Sequence, residues 1–403
     1  MNRYRFTLPA LGFLCFISVI LAQSPAKFRT DKDGPYTPAE LKQLKGKMRD
    51  SVLQWYTLED GKFPPADSAH AISGELIQVN HTERLFQLRV DRNDSQDRSV
   101  WDLPLEATML PYGTITYHGA PAALQDIPLG THLHGLFYLR DANDKTPPPD
   151  TQNQRITPEI DFRRCFALED DFSRSVRLKK VWKVISVDLE TMKLVAQAQT
   201  GGQDEAKPVT FDLQPSTQVY LGKRFATMQE IQPNQEIVFN LTWATLYGPG
   251  RITELWLNET ARKIFTEKQL AKHHQHIRER GIPGWVSSVD DEKQIITVAM
   301  FGGLDTKLIS EFGDLKAPTP PGSVGVAVSR DSLMTYDPVN DRKRGSILDL
   351  KQIPTEPGSS GWQIKLKMDL LLEGYRPKRV VRLYPAAWKV IALPREEQFF
   401  GRE

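Results

Sequence analysis

Hydrophobic and polar positions along this chain follow two periods, one helical and one alternating. In YTPAELKQL, Thr37 is placed as an N-cap, Pro38 takes the first helical position and Glu40 completes a capping box. Tyr36 and Leu41 are spaced to staple that start, and Leu41, Leu44, Met48, Val52 and Trp55 continue an apolar stripe. The pattern predicts a helix stopped by Asp60-Gly61 and Pro64-Pro65. A second helix is expected in FTEKQLAKHHQHIRERG, with Thr266 and Gln269 as its capping box, Phe265 and Leu270 as its staple, and Gly281 and Pro283 as its stop.

Elsewhere the period is two. SGELIQVNHTERLFQLRV, KVWKVISVDLETMKLVAQA and PGWVSSVDDEKQIITVAM each read as a strand ending in Val-Asn or Val-Asp, a polar turn, and a second strand. Three later segments, ALQDIPLGTHLHGLFYL, TMQEIQPNQEIVFNLTW and LDLKQIPTEPGSSGWQIKLKM, each show a polar stretch, an Ile, a turn and an alternating strand. Starts near Ser73, Val181 and Gly284 give three copies about 100 residues apart, the scale of one small domain. Further strands are expected at residues 209–213 and 323–328. About five short strands per copy suit a small closed barrel, which hides its sheet edges, ahead of a small sandwich.

The expected fold class is mainly β with a few helices: three tandem small β-barrel modules joined by helices. Residues 71–140 form the first module, 179–257 the second and 283–390 the third. Residues 23–70 are an N-terminal segment with the first helix, and 258–282 a connecting helix. The polar, Pro-rich stretch DANDKTPPPDTQNQRITP marks 141–178 as a linker, with a shorter helix near residues 168–180. The loop LKAPTPPG interrupts the third module, and 391–403 is a tail.

The modules resemble the OB-like small-barrel domains that recur in secreted bacterial proteins of unknown function. Val79-Asn80, Val187-Asp188 and Val289-Asp290 carry the resemblance, with Ile127, Ile231 and Ile353 near the closing strands. It implies a fold and an extracytoplasmic setting, and brings no catalytic residues.

Residues 1–22 change the picture of where the chain works. Arg3 and Arg5 precede the apolar run FTLPALGFLCFISVILA, which reads as a secretory signal cleaved after Ala22 or Gln23. Left uncleaved, the run is near the lower limit for a membrane anchor, the one route to a membrane. The expected location is extracytoplasmic: periplasm, envelope or medium. Of two cysteines Cys15 lies in the signal, so Cys165 has no partner for an internal disulfide and reads as a small buried residue. Across 403 residues, 40% are hydrophobic and 25% charged, enough to bury cores. The net charge of +2 does not point to nucleic acid.

Candidate chemistry is sparse. His273 and His276 share a helix face, with His274 beside them, and His132 and His134 share a strand face that His118 could complete. Imidazoles in these patterns suit zinc, copper or nickel, against a plainer role as polar surface groups. Arg376, Lys378, Arg379 and Arg382 form a basic cluster interleaved with Tyr375 and Tyr384, a face for an acidic glycan or an ordinary outward strand. Glu169, Asp170 and Asp171 read as a solvated helix start, and Gly358-Ser359-Ser360-Gly361 as a loop. Motifs G-x-S-x-G, H-E-x-x-H and the phosphate-cradling G-x-x-x-x-G-K are absent. The leading expectation is a non-catalytic extracytoplasmic binding or scaffold protein of unknown ligand, without a cofactor, with an envelope protein or polysaccharide as the candidate partner. The alternatives are an envelope metal-binding protein and a glycan-acting enzyme.

Overall fold

The computed structural model describes residues 56–91, 104–139, 163–205, 207–245, 248–313, 324–328, 342–391 and 394. The helix expected before Trp55 and the export segment lie outside the described residues. Among these residues, no helix is long and apolar enough to cross a membrane.

The chain is mainly β. The first module supplies β1 (His70–Asn80), β2 (Leu85–Val90), β3 (Leu105–Tyr117), β4 (Ala120–Pro121), β5 (His132–Tyr138) and β6 (Arg164–Asp170). Its sheet runs β2-β1-β5-β6-β3-β4, and a β2–β3 pairing closes five strands into a barrel. The β3–β6 pair is parallel. Helix α1 (Asp171–Leu178) follows β6 directly. The stretch expected as linker therefore holds the last barrel strand as well as a helix. RCFALED places Cys165 and Leu168 in the core, a burial signal too short to stand out beside the Pro-rich run before it.

The second module contains β7 (Lys180–Asp188), β8 (Lys193–Thr200), β9 (Gln203–Asp204), β10 (Val209–Asp212), β11 (Gln218–Leu221), β12 (Arg224–Ala226), β13 (Glu236–Leu241) and β14 (Ile252–Trp256). They form an open sheet in the order β10-β8-β7-β13-β14-β11-β12, with β9 on β8. An isolated Asp212–Arg251 bridge links the end of β10 to the start of β14. The expectation of three closed barrels is thus corrected to two barrels and an open sheet. The gap lies between β10 and β14, where that single bridge stands in for a ladder.

Helix α2 (Glu259–Arg280) leads into β15 (Ile282–Asp290), β16 (Ile295–Phe301), β17 (Val324–Val328), β18 (Arg342–Gln352), β19 (Ser359–Met368) and β20 (Val380–Pro385). These close as a barrel in the order β15-β16-β19-β18-β17-β20.

The repeat is written in hydrogen bonds as well as in sequence. The opening hairpins, β1–β2, β7–β8 and β15–β16, shift register at the same place, between Leu76 and Gln78, Val184 and Ser186, and Val286 and Ser288. In each turn the Asx side chain accepts an amide three residues on: Asn80 from Glu83, Asp188 from Thr191 and Asp290 from Lys293. Each turn then ends on a left-handed residue, Arg84, Met192 or Gln294. The Val-Asx signature is therefore a turn device, with the carboxylate or amide satisfying the donor the reversing chain exposes.

A second shared device closes each module onto its opening strand. Gly130, Asn234 and Lys378 adopt positive φ and donate their amides to Leu76, Val184 and Val286. Those three residues donate in return to the carbonyls of Thr131, Gln235 and Arg379. Ile127 and Ile231 lie at this junction, each capping a short 3-10 turn, as expected. Ile353 does not: it sits between β18 and β19, and the third closing strand is β20, preceded by the 3-10 turn Glu373–Tyr375. The turn after Ile353 mimics the pattern, but the strand that returns to β15 is β20.

Helix α2 starts earlier than its capping pattern predicts. Asn258 is the N-cap, its Oδ1 accepting from Ala261 N at 2.8 Å. Thr266 and Gln269 instead cross to the first barrel: Thr266 Oγ1 donates to the His118 carbonyl at 2.7 Å, and Gln269 Nε2 to Asp126 Oδ2 at 3.0 Å. Polar residues spaced for docking on a neighbour had the spacing of a cap.

Candidate functional site

The antiparallel β5–β6 pairing sets Leu133 against Asp170 and His134 against Glu169. That register brings His132 and His134 to the strand-to-helix junction where α1 begins. Asp170 turns inward as N-cap, fully buried, accepting from Ser173 N at 2.9 Å. Asp171 meets both imidazoles: its Oδ1 lies 2.9 Å from His132 Nδ1 and 2.9 Å from His134 Nε2. These three side chains have their ligand atoms within 4.8 Å of one another.

Every remaining polar atom of the cluster is held. His132 Nε2 donates to Asp91 Oδ2 at 2.9 Å, and His134 Nδ1 lies 2.8 Å from Ser73 Oγ. The other carboxylate oxygens reach the second module: Asp171 Oδ2 accepts from Leu241 N at 2.9 Å and Asp91 Oδ1 from Ala244 N at 3.2 Å. Trp243 Nε1 donates to the Val90 carbonyl at 2.8 Å beside them, with the Arg89 guanidinium over its ring. His132 is 4% exposed. Burial alone would lower its pKa, but the Asp171 and Asp91 carboxylates outweigh this and raise it to about 10. For Asp171, burial works upward and the two imidazoles downward; the imidazoles win and hold it below the usual carboxylate range.

His118 does not complete this site. Its Nε2 lies 3.2 Å from Glu254 Oε2, inside a ring of Tyr117, Phe172, Trp256 and Phe265. Asn240 bridges the same region, donating to Asp170 Oδ2 at 3.0 Å and Glu254 Oε2 at 3.1 Å while accepting from Phe172 N at 2.9 Å. Burial raises the Asp170 carboxyl, and His118 and the donors around it oppose that. This network is a polar lock between the first two modules.

His273 and His276 share the inner side of α2, and among the described residues no third imidazole, thiol or carboxylate joins them at ligand distance. His274 points to Asp305, 2.8 Å away. The basic cluster separates. Arg376 pairs with Asp291, Lys378 and Arg379 are exposed in the closing turn, and Arg382 is 2% exposed, donating to the Arg280 carbonyl at 2.8 Å. Cys165 is buried, and desolvation pushes its thiol well up, away from a nucleophile's range. The Gly-Ser-Ser-Gly run, expected as a loop, is one only at Gly358, which packs close to Tyr112, Phe166 and Phe63; Ser359, Ser360 and Gly361 open strand β19.

Asp91 and Ser73 were not singled out by the sequence as site residues, and the reading of Glu169, Asp170 and Asp171 as a solvated helix start is corrected: Asp170 is fully buried and Asp171 is engaged by both imidazoles. Asp171 had a usable signal, since consecutive acids closing an alternating strand place one side chain inward and the next at the helix start.

No protein-family profile matches the chain, and no curated protein matches it. Among solved structures, one similar chain is a copper(II)-bound variant of CusF from Escherichia coli, 14% identical, covering 20% of this chain and 90% of that one with a TM-score of 0.15. A likeness at that score carries no argument.

Proposed function

We propose that the protein is a non-catalytic, extracytoplasmic binding protein of OB-like modules that holds one divalent transition metal at His132, His134 and Asp171. The observation that carries this reading is convergence: two imidazole nitrogens and a carboxylate oxygen point at one spot. Their outer partners support it. Metal-binding histidines characteristically give their second nitrogen to a carboxylate or hydroxyl, the roles open to Asp91 and Ser73. Two imidazoles and a carboxylate suit zinc, copper or nickel. The basic start and apolar run of residues 1–22 support export.

The test is metal content and binding of the exported chain. Purified from the envelope fraction and saturated with zinc, copper or nickel, it should carry one equivalent by elemental analysis. The metal should raise the melting temperature saturably, because it binds the folded state alone. The His132→Ala and His134→Ala variants should each lose at least tenfold in affinity. Equal metal content in parent and variants would overturn the assignment. In that case the cluster serves as a latch between modules, and the scaffold reading takes its place.

A further inference from the structure

The His273 and His276 face closes on a cavity of about 120 Å³ between the first barrel, α2 and the third barrel. His81 and Arg84 line it from the first turn, His273, His276 and Arg280 from α2, and Arg382 from β20. Three guanidiniums and three imidazoles thus face one space, and among the described residues lining it none carries a carboxylate. Arg280 holds Glu279 at 3.3 Å, and Arg84 reaches the Pro111 carbonyl at 3.4 Å, so the cationic side chains are fixed in place. His276 Nδ1 is sealed from solvent with no hydrogen-bond partner.

The charges act on one another. Burial first, and then the charge of Arg382, bring Arg84 down to about 10. Burial, then Arg280, Arg382, His273 and Arg84, push His276 down to about 3. Burial and His274 lower His273 to about 4, against the opposing pull of Asp305 and Asp126. Like charges gathered in a weakly solvated space repel, and an anion placed among them removes that penalty. A cation placed there would add to it, which argues against the metal role expected for this histidine pair.

We propose that this cavity is a binding site for a tetrahedral oxyanion of the phosphate and sulfate class. Guanidinium forks match its oxygens two at a time, and the neutral His276 ring supplies a further donor in the tautomer that carries its hydrogen on Nδ1. The space is of the right order, since a cavity of about 150 Å³ accepts a benzene. The anion would clamp the first barrel, α2 and the third barrel together.

The test uses the exported chain dialysed into chloride buffer, titrated calorimetrically with inorganic phosphate, sulfate and, as an ionic-strength control, sodium chloride. Phosphate and sulfate also stabilise folded proteins generally, in proportion to concentration, so a saturable heat is required. The expected result is saturable binding of phosphate that Arg84→Met weakens at least tenfold, while Lys263→Ala, which removes an exposed cation from the outer face of α2, leaves it unchanged. Should Arg84→Met fail to fold, His276→Gln in the parent background gives the second reading, with the same direction of change. Binding of inorganic phosphate assigns a free anion; tighter binding of glycerol phosphate assigns the end group of a larger ester. Heats that never saturate, or that survive both substitutions, overturn the site. Metal binding at His132 stands or falls independently of either result.

Discussion

At the residue scale, the clearest energetic commitments are buried polar side chains whose partners lie in other modules. Asn240 is fully buried and serves Phe172 N, Asp170 and Glu254 at once. Asn240→Ala strands a buried amide and withdraws a donor from two carboxylates, so urea unfolding should show a loss of about 2–4 kcal/mol. A loss below about 1 kcal/mol would mean that water replaces the amide, and that the lock is looser than its geometry. The α2 histidines predict a pH dependence. Unfolded, both take protons as pH falls below roughly 6.5. Folded, they stay neutral down to about 4 for His273 and about 3 for His276. Between those limits the unfolded chain binds more protons, so stability rises with pH across the window and is lost on acidification. His276→Gln should flatten that slope relative to the parent in urea titrations from pH 4 to 7; an unchanged slope would place the proton-linked group elsewhere.

At the scale of elements, the hairpins were legible and the closures were only partly so. Val-Asx followed by a polar turn is a local code, because the Asx side chain answers the turn's own amide, and all three copies follow it. Closure depends on which distant strand returns to the opening one. That choice is made by long-range pairing, which local alternation cannot register, so Ile353 matched the pattern without holding the place. The same limit hid the cluster of His132, His134 and Asp171: the two histidines share a strand in sequence, but Asp171 joins them only through the β5–β6 register. The closing turn also supplies a test of the repeat. Gly130 has φ of 88°, and a Cβ there would meet only Glu75 Oε1 at 3.8 Å, so space is not the constraint. Gly130→Ala should therefore destabilise through backbone strain alone, by about 1 kcal/mol in chemical denaturation. An unchanged midpoint would show that the first closing turn tolerates an ordinary backbone.

At the scale of the whole molecule, the two barrels are joined by aromatic packing rather than by a shared sheet. Trp285 of β15 lies 4.9 Å from Tyr112 of β3 and 4.8 Å from Phe63 of the N-terminal segment, centroid to centroid. Phe301, Tyr138 and Phe166 complete the cluster, and Gly358 lets the β18–β19 loop approach it. Helix α2 runs alongside as a second tie, through Thr266 and Gln269 to the first barrel and through His273 and His274 to Asp305. Two ties predict one cooperative unit, and removing the stronger one separates them. Trp285→Ala deletes a large side chain that is 6% exposed, a change worth about 3–5 kcal/mol in a packed core. Calorimetry of the parent should show a single transition, and Trp285→Ala should show a third barrel melting ahead of the rest. Trp182→Ala, which removes an aromatic from the second module's own core, should lower stability without releasing the third barrel. A single lowered transition in Trp285→Ala would assign the coupling to α2 and its docking residues, with the aromatic seam contributing area but not cooperativity.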